Sequence, residues 1–145
     1  NIADVKVGSE APDFALRDSK GNSFNLSDFE NEKVVVLEFM NMGCGSCHSF
    51  EKDVLKSYCN STTMPEDVEV ISLTQTEDVS QEDLEERAEG KNWAYVFGSE
   101  EMTDAFGADR SPSIVIIDKD GIVTFSESGP MTESELKEKV DEALE

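Results

Sequence analysis

The chain is 145 residues long, enough for one domain with a real core, and carries 33 acids against 12 bases for a formal charge of −21. A surface that negative repels nucleic acid and anionic membranes, and no stretch approaches the ~20 apolar residues that would insert in a bilayer. Three cysteines are too few for a disulfide scaffold, and the odd count leaves one thiol without an internal partner.

Taken in chain order, residues 1–8 read as a loose lead-in. The stretch "APDFALRDSKGNSFNLSDF" then reads as a β-hairpin, with Phe14 and Leu16 on one arm, a turn at 20–22, and Phe24 and Leu26 on the other. "KVVVLEFM" (33–40) is nearly continuous and β-branched, the pattern of a strand covered on both faces. "NMGCGSCHSF" (41–50) follows. Beyond it Cys47, Phe50, Val54 and Tyr58 recur at helical spacing and share one face.

"VEVISLT" (68–74) is a second buried strand, Ser80 can cap the acidic helix "QEDLEERAEG", and "WAYVF" (93–97) is a third strand. Ser99 can cap a short helix. "SIVIID" (113–118) and "IVTFS" (122–126) flank a "KDG" turn, and Thr132-x-x-Glu135 opens a last helix with Leu136, Val140 and Leu144 inward. Helices alternate with strands and a hairpin closes the sheet, which makes the chain, 1–145, a single α/β domain with a mixed sheet.

The segment at 41–50 admits three chemistries. Cys44-x-x-Cys47 can be a redox pair, the same residues with His48 can anchor a c-type haem, and Cys59 can complete a four-ligand metal site. At the strand-to-helix junction Cys44 falls at a helix N-terminus, where free N–H groups favour the thiolate that attacks a disulfide. Cys47, one turn further and on the apolar face, would attack second. Haem lacks a second histidine, and Cys59 lies roughly 18 Å along an unbroken helix from Cys47, too far to share an ion. Glu38 has two readings: a solvated residue on an exposed strand face, or a buried carboxyl that accepts a proton from Cys47.

"VVVLEFMNMGCGSC" resembles the active-site strand and turn of the thioredoxin superfamily, with Glu38 where thioredoxins carry a buried acid. "AFGADRSPSIVIIDKDGIVTFSESG" resembles its later segment, and the opening "VGSEAPDFALRDSKGNSFNLSDFENEKVVVLEF" is similar to the N-terminal hairpin of the TlpA/ResA branch and of peroxiredoxins. The resemblance implies a thioredoxin-like fold: a central mixed β-sheet flanked by helices, with an N-terminal β-hairpin and a central insertion made of the acidic helix and "WAYVF". It implies a thiol–disulfide oxidoreductase with Cys44 as nucleophile, Cys47 as resolving thiol and Glu38 as the buried catalytic carboxyl that accepts a proton from Cys47. Pro112 would be a cis-proline, and Ser111, Pro112 and Gly43 would meet the substrate.

The redox-active disulfide Cys44–Cys47 would serve without a cofactor or metal. The partners implied are protein thiols and disulfides together with an upstream thiol reductant or oxidant, met by a monomer. The branch implies an extracytoplasmic place, periplasmic or membrane-anchored with the anchor ahead of Asn1 removed; a cytoplasmic reductant is the alternative. A peroxiredoxin-type thiol peroxidase shares the opening hairpin, but Cys44 stands at its threonine position and its proline is missing. Departures from the TlpA/ResA pattern are Gly43 in place of an aromatic, Gly45-Ser46 between the cysteines, and Phe50 three residues past Cys47, where many relatives carry a glutamate.

Overall fold

A computed structural model describes residues 5–145; residues 1–4, the start of the expected lead-in, lie outside the described residues. The sheet has seven strands: β1 Ala15–Asp18, β2 Ser23–Asn25, β3 Val34–Met40, β4 Val68–Thr74, β5 Ala94–Phe97, β6 Ser113–Ile117 and β7 Val123–Ser128, in the order β2-β1-β5-β4-β3-β6-β7. The central strands β3, β4 and β5 are parallel, and β1 and β6 flank them antiparallel. This is the thioredoxin-like architecture, and the terminal hairpin reaches the sheet by pairing with β5 of the central insertion.

All seven residues of β3 are buried, because both faces of the strand are covered. Val35, Leu37 and Phe39 point into one apolar layer with Ile71, Leu73 and Phe106. Val34 and Val36 point into the other, under Leu136, Val140 and Ala143 of the C-terminal helix α5 (Glu133–Leu144). Each such side chain taken from water contributes about 1.5–3 kcal/mol. The alternation also fixes Glu38 on the second face, among helices and not in solvent.

The helix after β3 runs as α1 (Gly45–Phe50), a π-helical turn (Glu51–Leu55) and α2 (Lys56–Asn60), with helical dihedrals at each junction. Cys47, Phe50, Leu55 and Tyr58 are fully buried along it, while Val54 is only half-buried. Helix α3 (Gln81–Ala88) is capped by the Ser80 hydroxyl, which accepts from the Asp83 N–H, and α4 (Glu100–Ala105) by Ser99, which accepts from Met102. Thr132 and Glu135 close a capping box on α5.

The lead-in is not loose where the structure describes it. Val5, Gly8 and Ala11 donate backbone N–H bonds to Ala105, Val123 and Gly121, and Val5 packs on the first apolar layer. The hairpin arms are shorter than expected, because Leu26 opens a 3-10 turn (Leu26–Phe29) in which Asn25 and Asp28 cap one another.

Gly98, just past β5, lies against the end of β4. A Cβ there would stand 1.8 Å from the Thr74 carbonyl oxygen, and the Gly98 N–H donates to Thr74 Oγ1 at 2.9 Å. A backbone carbonyl cannot step aside as a side chain can. Gly98→Ala is therefore expected to cost about 2 kcal/mol or more in equilibrium urea unfolding; a loss within about 0.5 kcal/mol would contradict this packing.

Candidate functional site

Strand β3 ends at Met40, and four residues later Cys44 stands as the N-cap of α1. Its sulfur accepts the Cys47 N–H at 3.1 Å, so a helix N-terminal donor points at the atom that would carry negative charge. Cys44 and Cys47 are joined as a disulfide. Cys44 is half-buried and Cys47 fully buried, so only the first sulfur is open to a partner. His48 is exposed on the same helix. Cys59, the free cysteine, is packed against the second apolar layer, and burial followed by the charge of Glu69 pushes its thiol up to about 12. Among the described residues no three of His, Cys, Asp and Glu are gathered as metal ligands.

The Ser111–Pro112 peptide bond is cis and Pro112 is buried. Asn41 ties this loop to the cysteine turn: its Oδ1 accepts the Gly43 N–H at 3.1 Å while its Nδ2 donates to Ser111 Oγ at 2.9 Å. Ser111 Oγ in turn donates to Gln75 Oε1 at 2.6 Å, and Gln75 Nε2 donates to the carbonyls of Ala108 and Arg110 at 2.7 and 2.9 Å. Gly43, exposed, and Ser111 are thus two hydrogen bonds apart, linked through Asn41.

Behind the cysteines lies a buried polar cluster. Glu38 is 0% exposed and aligns with Ser72 on β4, which aligns with Tyr95 on β5, so the three stand in one row across parallel strands. Ser72 donates to Glu38 Oε1 at 2.6 Å and accepts from Trp93 Nε1 at 2.9 Å. Above the row, one turn past Cys47, sits Glu51, also fully buried. Arg87 of α3 grips it with Nε to Oε1 at 2.8 Å and Nη2 to Oε2 at 2.9 Å, and the Tyr95 hydroxyl donates to Oε1 at 2.6 Å.

The two carboxyls are driven apart. Burial first, then the negative charge of Glu51, hold Glu38 well above the usual carboxylate range. Burial alone would raise Glu51 too, but the hydrogen bonds from Arg87, Glu38 and Tyr95 outweigh it and leave Glu51 below that range. Glu38 is buried, so the reading that leaves it solvated on an exposed strand face does not hold.

Phe50 is a buried apolar residue where the resemblance implied a glutamate, and the buried acid of this helix is the next residue, Glu51. Its signal was the i, i+4 spacing from Cys47, which puts both on one face. Arg87 was signalled only by sharing a face with Leu84, three residues earlier. Asn41 and Gln75 carry no local signal, since each acts across a long sequence gap.

A family model described as Redoxin matches residues 6–144. The chain is 30% identical over 142 residues to the thiol-disulfide oxidoreductase ResA of Geobacillus thermodenitrificans, covering 94% of this chain and 78% of that one. It is 27% identical over 131 residues to ResA of Bacillus subtilis, covering 90% and 72%. In fold it is similar to a Chlorobium tepidum structure described as a thiol:disulfide interchange protein, DsbE, with a TM-score of 0.79, 22% identity, and 96% and 98% of the two chains covered. The thioredoxin domain of a Bacteroides vulgatus thiol-disulfide oxidoreductase is similar with a TM-score of 0.76, 24% identity, and 94% and 99% covered.

The buried acids fix the sign of the pH dependence of stability. Native Glu38 keeps its proton at pH values where the unfolded chain has lost it. Stability therefore falls as pH rises above the ordinary glutamate range, by up to about 1.4 kcal/mol per pH unit, and levels off above the folded-state value. Glu51 acts in the other direction, losing its contribution as pH falls through its lowered value. Glu38→Gln should thus gain stability over the wild type on going from about pH 5 to about pH 8 in urea unfolding. A difference constant across that range would contradict the burial of a neutral carboxyl.

Proposed function

We propose that this chain, which belongs to the Redoxin family and is a thiol–disulfide oxidoreductase, uses Cys44 as its attacking thiol and Cys47 as its resolving one. The observation that carries the assignment is the unequal exposure of two sulfurs already bonded to each other, Cys44 reachable and Cys47 enclosed.

In the reducing direction the Cys44 thiolate attacks a substrate disulfide. A bond forms between Cys44 Sγ and one substrate sulfur, and the other leaves as a thiolate. Cys47 passes its proton to Glu38 and attacks Cys44 Sγ, releasing the second substrate sulfur and closing the Cys44–Cys47 disulfide. Two electrons have moved to the substrate. A protein dithiol attacking Cys44 reverses the steps: Cys47 leaves as a thiolate and recovers a proton from Glu38. The raised proton affinity of Glu38 suits this exchange, since an ordinary carboxylate lies roughly four pH units below a free thiol and is a poor base for it.

The substrates are protein disulfides presented as extended segments. Cis-Pro112 shapes the groove beside the disulfide, Ser111 offers its backbone for strand pairing, and Gly43 leaves room for the incoming chain. The single domain acts as a monomer whose redox group is the disulfide alone. The TlpA/ResA resemblance supports work outside the cytoplasm, in the periplasm or held at a membrane.

Insulin-disulfide reduction tests the assignment. Cys44→Ser should fall to background, Cys47→Ser should accumulate a mixed disulfide through Cys44, and Cys59→Ser should keep nearly full rate. Full activity in Cys44→Ser would end the proposal.

A further inference from the structure

We infer that Glu51 is a positioning residue for the thiol chemistry, that it and Glu38 hold one proton between them, and that Arg87 and Tyr95 of the central insertion set that proton on Glu38. The inference builds on the reading of Glu38 as the proton partner of Cys47.

The hydrogen bonds divide the two acids. Glu51 receives three donors, two from the planar fork of Arg87 and one from Tyr95, and both its oxygens are served. That is the environment of an anion. Glu38 receives a single neutral donor, Ser72 at Oε1, and its Oε2 meets no donor. A proton on Oε2 supplies the missing donor, and the Glu51 carboxylate facing Glu38 is the acceptor at hand. Both side chains are fully buried, and the cluster contains one guanidinium for two carboxyls. Ionising both would leave an uncompensated charge away from water. One proton for the pair is the arrangement these contacts satisfy.

The charged groups around Glu38 come from several elements. The π-turn brings Glu51, α3 brings Arg87, and β5 brings Tyr95. The segment after α3 brings Lys91, whose Nζ donates to the Arg87 carbonyl at 2.7 Å and lies 5.7 Å from the centre of the Tyr95 ring; Lys56 lies beyond it. Glu51 and Arg87 act on Glu38 with opposite signs. The Glu51 anion makes Glu38 hold its proton more tightly, toward the affinity of a thiol, and the Arg87 cation limits that effect. The two partners therefore tune how readily Cys47 can give up and recover a proton, without touching either sulfur.

Opposite signs make the test selective. Side-chain carboxyls of oxidised, carbon-13-labelled protein can be titrated by NMR, with Glu38→Gln identifying the Glu38 signal. Glu51→Gln should move the Glu38 midpoint down by about one pH unit or more, a tenfold loss of proton affinity. Arg87→Gln should move it up. Tyr95→Phe, the milder change should Arg87→Gln fail to fold, should move it up by less. The pH profile of single-turnover exchange with insulin should shift in the same directions. Loosened packing that admits water would move the midpoint down in every variant, and that result, or a midpoint unmoved in Glu51→Gln, overturns the inference. Midpoints that move as stated while the exchange profile stays fixed overturn instead the reading of Glu38 as the partner of Cys47.

Discussion

A carboxyl in the middle of a strand covered on both faces is the constraint around which this structure is arranged. Glu38 cannot reach water from β3, so its surroundings must supply either a counter-charge or a proton. What surrounds it is a row of polar groups in register across three parallel strands, and above them a helix acid clamped by an arginine. The same strand delivers Cys44 to the head of α1. One segment of backbone thus sets both the position of the disulfide and that of the acid behind it.

The central insertion gains a role from this. Its strand extends the sheet and gives β1 an edge to pair with, but the insertion also carries Arg87 on α3, Trp93 just before β5 and Tyr95 on β5, each directed into the buried cluster. A second set of contacts governs the outer face. Asn41, Ser111 and Gln75 share hydrogen bonds, so the turn bearing the cysteines and the loop bearing cis-Pro112 cannot shift independently. The buried acids and the hydrogen bonds between the cysteine turn and the cis-Pro112 loop form separate polar networks joined through β3.

What was legible in the sequence was local. The buried strands announced themselves by continuous β-branched residues, the helix starts by Ser80, Ser99 and Thr132, and the redox pair by its spacing at a strand-to-helix junction. The acid at Glu38 could be noticed, though its burial could not be decided without knowing what covers the strand. The partners of that acid were hidden because they arrive over long gaps: Ser72 is 34 positions away, and Arg87 is 36 from Glu51. The lead-in looked loose because its composition lacks a strand pattern, while its order comes from backbone bonds to the end of α4 and the start of β7. The departure at Phe50 read as a lost acid, yet Glu51 lies one regular α-turn past Cys47, with its N–H on the Cys47 carbonyl, and shares the buried face.

The pitch of this helix changes only beyond Glu51. The turn Glu51–Leu55 is wound with i to i+5 spacing, which takes up one more residue than an α-turn, and Lys52 and Asp53 on it face solvent. A helix with this bulge can gain a codon without displacing the cysteines at its head or Tyr58 near its foot. In a lineage, the number of residues between the cysteines and Tyr58 can therefore change while the side chains at both ends keep their packing.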